Sequence, residues 1–184
     1  MGIVALAEIG DKTQLLAFIL AARFKRPLPI VFGILIATLL NHSLAAGLGW
    51  WVTSLVEPET LRWILGISFI AMAVWMLKPD KLDKDEIKLV RSGVFGTTLL
   101  AFFFVEMGDK TQIATVALAA QYQSLYAIVA GTTLGMMIAN VPAVYLGERI
   151  ADRLPVTLVQ RIAAAAFAIL GFATILGLGG SLGF

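Results

Sequence analysis

Apolar residues run along this chain in six blocks, over residues 3–22, 28–51, 61–77, 93–120, 125–147 and 156–176, parted by short breaks that carry charge or proline. A helix rising 1.5 Å per residue needs about 20 residues to cross a hydrocarbon core of about 30 Å, and the blocks supply that length. The pattern therefore predicts an all-α membrane protein of six transmembrane helices. The fourth block is longer than a span requires, so it is expected to tilt, kink or start outside the core. The first reads as a span and not a cleaved signal peptide. It lacks a basic leader and carries Glu8, Asp11 and Lys12 where a signal would be apolar.

Composition agrees. Hydrophobic residues make up 59% of the 184 residues and charged ones 14%, with a mean hydropathy of +0.90. A water-soluble chain of this size could not hide so much apolar surface, so its solvent is the lipid bilayer. There is no cysteine, which excludes disulfides, thiolate metal sites and a cysteine nucleophile. The net charge of +2 matters less than its placement. Eleven of the 14 cations fall in or beside three breaks: Arg23, Lys25 and Arg26; Lys78, Lys81, Lys84, Lys88 and Arg91; Arg149, Arg153 and Arg161. Only Arg62 stands on the other side. The positive-inside rule then places these breaks in the cytoplasm and both termini outside. Trp50, Trp51, Trp63 and Tyr122 fall near outer ends and Trp75 near an inner one, as interfacial anchors do. The break 78–91, with five cations and four anions, reads as a solvated linker. Asp83 and Asp85 have the spacing of a calcium-loop start but lack its glycine and terminal glutamate.

The chain repeats itself. Glu8-Ile-Gly-Asp-Lys-Thr-Gln14 returns as Glu106-Met-Gly-Asp-Lys-Thr-Gln112, and the same register matches Gly33 with Gly131, Ala45 with Ala143 and Phe69 with Phe167. This predicts a three-helix repeat over 1–77, the charged linker over 78–91 and a second three-helix repeat over 92–184. Three is odd, so the second copy crosses in the opposite sense. That is an inverted-topology repeat, the plan of many secondary transporters, with a substrate site near the midplane where the repeats meet.

On a continuous helix Glu8, Asp11 and Lys12 share an arc of about 100°, and Glu106, Asp109 and Lys110 share its counterpart. Counting along each span puts them near mid-membrane, where an ionised group costs about 2.5–3.5 kcal/mol. Pairs Glu8–Lys12 and Glu106–Lys110 could lock the helices, but they leave Asp11 and Asp109 over. That formal charge of −2 suits a divalent cation. The available donors are the carboxylates, the Thr13 and Thr111 hydroxyls, the Gln14 and Gln112 amides and any carbonyl freed beside Gly10 or Gly108. All are hard oxygens, suited to Mn²⁺, Ca²⁺ or Mg²⁺. Carboxylates crowded away from water also hold protons when a metal leaves, so one set of groups could exchange one for the other.

Around the motifs the reading is more even. Gly10 and Gly108 mark either helix kinks or close packing, and the two threonines are either ligands or packing residues bonded to a preceding carbonyl. Gln14 and Gln112 lie off the carboxylate arc and suit a supporting or gating role. Lys12 and Lys110 tune the charge. The one histidine, His42, sits beside Asn41, and its repeat equivalent is Asn140. It is either a satisfied packing residue or a support and proton relay for the acidic groups. Pro142 can free a carbonyl in the fifth span. Gly131, Gly135 and the alanines 163–166 read as packing faces, and Met136 and Met137 as core filler.

Doubled Glu-x-Gly-Asp-Lys-Thr motifs on the first helices of inverted three-helix repeats resemble the Gdt-type cation/proton exchangers of the lysine-exporter superfamily. The resemblance covers essentially the whole chain. It implies a multi-pass transporter that moves Mn²⁺ or Ca²⁺ out of the cytosol against protons. The compact length is similar to the bacterial manganese exporters, which implies the cytoplasmic membrane of a bacterium. The family's acidic residues carry over onto Glu8, Asp11, Glu106 and Asp109. Only seven residues precede Glu8, fewer than members usually carry, so either the start is trimmed or the first span begins at the outer surface with little to spare. The resemblance implies no cofactor and leaves a homo-oligomer open. The chain has neither a phosphate-binding glycine loop nor a dinucleotide fingerprint, so no nucleotide or nucleic-acid partner is expected and an ion gradient must drive it. The rivals are an exporter of a small organic cation such as a basic amino acid, an intramembrane enzyme, and a non-transporting subunit. One histidine and two identical acidic motifs give an enzyme no division between acid and base.

Overall fold

The computed structural model describes residues 2–78, 93–146 and 156–178. Nearly all of the 78–91 linker, and Arg149 and Arg153 of the last basic break, lie outside the described residues. Within them the chain forms eight helices and no strand: α1 (Gly2–Glu8), α2 (Lys12–Phe24), α3 (Pro27–Val52), α4 (Pro58–Met76), α5 (Gly93–Glu106), α6 (Lys110–Tyr122), α7 (Leu125–Leu146) and α8 (Val156–Ile175). Four of them, α3, α4, α7 and α8, are long and apolar enough to cross a membrane. Prolines stand at the start of α3 and α4, where a missing N–H costs nothing.

The expected spans over 3–22 and 93–120 are not continuous. Each breaks at its acidic motif, into α1 and α2 and into α5 and α6. The cause is local. Gly10 (φ +81°) and Gly108 (φ +76°) turn the backbone left-handed, a conformation that only glycine adopts cheaply. Asp11 and Asp109 follow in extended conformation as the N-caps of α2 and α6. The excess length of the fourth block is thus spent on a break. Repetition extends to the far ends, where Lys25 (φ 52°) and Gln123 (φ 50°), again 98 residues apart, close α2 and α6 in the left-handed region.

Polarity is arranged for lipid. Leu44, Ile67, Val74, Phe104 and Ile169 are largely exposed, while Glu8, Thr38, Asn41, His42, Thr98, Glu106 and Asn140 are buried. The two motif-bearing segments run against the long helices of the other half: α3 packs on α5 and α6, α7 on α1 and α2, and α3 and α7 also touch each other. The pair α4 and α8 packs most extensively, with Phe69 and Phe167 stacked at 6.3 Å. The expected packing residues divide: of the alanines 163–166, Ala165 is exposed and Ala166 half-buried. Ala163, Ala164, Gly135 and Met136 are buried, whereas Gly131 and Met137 are half-buried.

Candidate functional site

Each acidic motif is a turn between two half-helices. The Asp11 N–H donates to the Glu8 carbonyl and the Asp109 N–H to the Glu106 carbonyl, both at 3.1 Å. The glycine N–H is taken by the glutamine at the third helical position: Gly10 donates to Gln14 Oε1 (2.9 Å) and Gly108 to Gln112 Oε1 (2.6 Å). This variant of the capping box fixes the angle at which each half-helix starts. Gln14 also donates through Nε2 to the Ala139 carbonyl of α7 at 3.0 Å, one residue beyond the carbonyl of Ile138 that Pro142 leaves without its helical donor. The two glutamines therefore hold the breaks in shape.

The break changes which groups meet. Aspartate leaves the helix surface, so the arc drawn through Glu8, Asp11 and Lys12 on a continuous helix does not exist. Across the two halves, Glu8, Glu106 and Asp109 each place a carboxylate oxygen within 4.8 Å of the others, all three buried. Asp11, equally buried, stands outside that group. The ion pair that Lys12 makes crosses the halves, Lys12 Nζ to Asp109 Oδ1 at 3.4 Å, unlike the i, i+4 pairs weighed above as helix locks. In place of a pairing with Glu106, Lys110 donates to the Lys78 carbonyl (3.1 Å) and lies 6.0 Å from the Trp75 ring centroid. Trp75, expected as an interfacial anchor, thus also meets a buried ammonium.

Hydroxyls surround one glutamate and not the other. Thr13 Oγ1 donates to Glu8 Oε2 (2.6 Å), and Thr111 Oγ1, from the other half, donates to Glu8 Oε1. Thr115, a residue no sequence signal singled out, donates to the Thr111 carbonyl at 2.8 Å. Neither oxygen of Glu106 has a hydrogen-bond partner among the described residues. Its nearest basic neighbour in α3 is His42, with Nε2 3.7 Å from Oε1. Asn41 Nδ2 donates to the Phe103 carbonyl of α5 (3.0 Å), and Asn140 Nδ2 to Met136 O (3.1 Å) within α7. The helix break itself was readable, since Asp-Lys-Thr-Gln has the form of a helix N-terminus placed inside an apolar run.

Three carboxylates this close and this deeply buried repel one another unless cations or protons intervene. Their chemistry is that of a hard divalent-cation site. Among known proteins, the sequence profile of the family described as "Divalent cation/proton antiporter GDT1" matches residues 1–84 and 94–180. A Vibrio cholerae protein named "Putative manganese exporter" is 51% identical over 172 residues, covering 93% of this chain and 86% of its own. "GDT1-like protein sll0615" of Synechocystis is 29% identical, covering 94% of both chains, and "GDT1-like protein 5" of Arabidopsis thaliana is 27% identical, covering 93% of this chain and 91% of its own. No solved structure matches.

Proposed function

The chain belongs to the divalent cation/proton antiporter GDT1 family, and from that premise we propose that it exports Mn²⁺ from the cytoplasm in exchange for protons, with Ca²⁺ as the second substrate. Family membership makes it a multi-pass membrane transporter of divalent cations and not an enzyme. One observation carries the finer reading: Glu8, Glu106 and Asp109, drawn from both halves, gather buried oxygens within 4.8 Å. That spacing fits a bare ion better than an organic cation, which would need a roomier clamp.

In this reading the three carboxylates hold the ion, and Asp11 completes the acidic set from the symmetry-related turn. Thr13 and Thr111 orient Glu8 and add hydroxyl oxygens. Lys12 beside Asp109 supplies the counter-charge in the step of the cycle without metal, and Lys110, held on the Lys78 carbonyl, tunes the charge of the second motif. Gln14, Gln112, Asn41 and Asn140 brace the breaks and the helices around them. The repeats over 1–77 and 92–184, joined by the linker 78–91, form an inverted six-span pair with both termini outside a bacterial cytoplasmic membrane. Access alternates as the broken spans rock against α3 and α7.

The test is flux of radioactive manganese and calcium into proteoliposomes under an imposed pH gradient. Wild-type protein is expected to carry both ions only when the gradient is present, and Asp109→Asn and Glu106→Gln to abolish the flux in folded protein. Gradient-independent flux, or full activity in both variants, overturns the proposal.

A further inference from the structure

We infer that His42 is a nitrogen ligand to the transported ion and sets the preference for Mn²⁺ over Ca²⁺. The inference rests on the carboxylate site proposed above and adds a residue to it. His42 is fully buried in α3, and neither ring nitrogen has a hydrogen-bond partner among the described residues. A polar group left so costs about 1–3 kcal/mol, so a buried imidazole without partners needs a reason. Its Nε2 stands 3.7 Å from Glu106 Oε1, too far for a hydrogen bond. Two donors on one ion at about 2.1–2.4 Å, however, stand roughly 3.0–4.8 Å apart. The separation therefore suits an ion shared between the imidazole and the Glu106 carboxylate, the member of the 4.8 Å group beside which His42 stands, His42 itself lying outside that group. Both oxygens of that carboxylate also lack a partner among the described residues.

The consequence for selectivity follows from ligand type. Calcium takes oxygen ligands, whereas Mn²⁺, an oxygen-favouring ion at the weak end of the first-row transition series, also accepts an imidazole nitrogen. An otherwise all-oxygen site with a single nitrogen therefore gains affinity for Mn²⁺ and none for Ca²⁺. At the equivalent position of the other half stands Asn140, whose amide offers oxygen only. The nitrogen thus comes from one half alone.

The proteoliposome assay tests this with half-saturation values for each ion in wild type and His42→Asn. The expected result is a rise of about ten-fold or more for Mn²⁺, the loss typical of a lost metal-site partner, with Ca²⁺ unchanged. An unchanged ratio between the two ions overturns the inference while leaving the carboxylate site standing. A wild type that carries neither ion overturns both. A second readout needs no variant. His42 is the one histidine of the chain, so pulsed electron paramagnetic resonance of Mn²⁺ on the untagged wild-type protein should show imidazole ¹⁴N coupling. Its absence from bound Mn²⁺ overturns the inference.

Discussion

At the scale of single residues, the two motif glycines carry the same backbone demand in different surroundings. Both need a left-handed φ, which costs a residue with a side chain about 1–2 kcal/mol. A methyl at Gly108 would meet nothing within 4 Å, whereas one at Gly10 would overlap the Val156 side chain. Gly108→Ala should therefore lower the melting midpoint in detergent modestly and Gly10→Ala clearly more. Equal losses would show that backbone strain alone decides. Gln14 joins its own turn to the Ala139 carbonyl, so Gln14→Ala gives up two bonds at once. A loss of about 1–2 kcal/mol is expected, read from the same melts against Gln14→Glu, which keeps only the acceptor.

Elements show what the sequence could and could not disclose. α3, α4, α7 and α8 were legible because an unbroken apolar run has one stable form in lipid, a helix that satisfies its own backbone. Hydropathy alone passes over the breaks in the expected first and fourth spans, where Gly10 and Gly108 read equally as kinks or as close packing. Hydropathy averages over the motif, and only the capping pattern of aspartate and glutamine marks a new helix start. Once aspartate leaves the helix, spacing no longer tells which charges meet. The pairing of Lys12 with Asp109, and of both threonines with Glu8, is tertiary information. What places α6 for those contacts is its close approach to α3, where a methyl on Gly49 would fall on the Val116 carbonyl. Backbone cannot yield there as a flexible side chain would. Gly49→Ala should push α3 and α6 apart, costing about 1–3 kcal/mol in stability and lowering transport with it. A variant with wild-type flux would separate that contact from the site.

Over the whole molecule, the proposed topology can be checked without first removing any native thiol, because the chain has no cysteine. Ser54 and Ser124, both exposed, lie in breaks assigned to the outside, and exposed Lys25 lies in one assigned to the cytoplasm. With single cysteines at these positions, a membrane-impermeant maleimide should label Ser54→Cys and Ser124→Cys in intact cells. Lys25→Cys should react only after permeabilisation. The reverse pattern would invert the orientation. Labelling of Ser54→Cys and Ser124→Cys from opposite sides would rule out the inverted repeat.

In the proposed site neither half is complete alone. Glu8 takes one hydroxyl from Thr111 across the divide, and Asp109 takes its ammonium from Lys12. A gene encoding one half alone could assemble such a centre only as two copies inserted head to tail in the same membrane. Once fused, the copies no longer have to stay alike. In the proposed inverted pair, His42 on one side and Asn140 on the other are a difference that two identical chains could not hold on one side only.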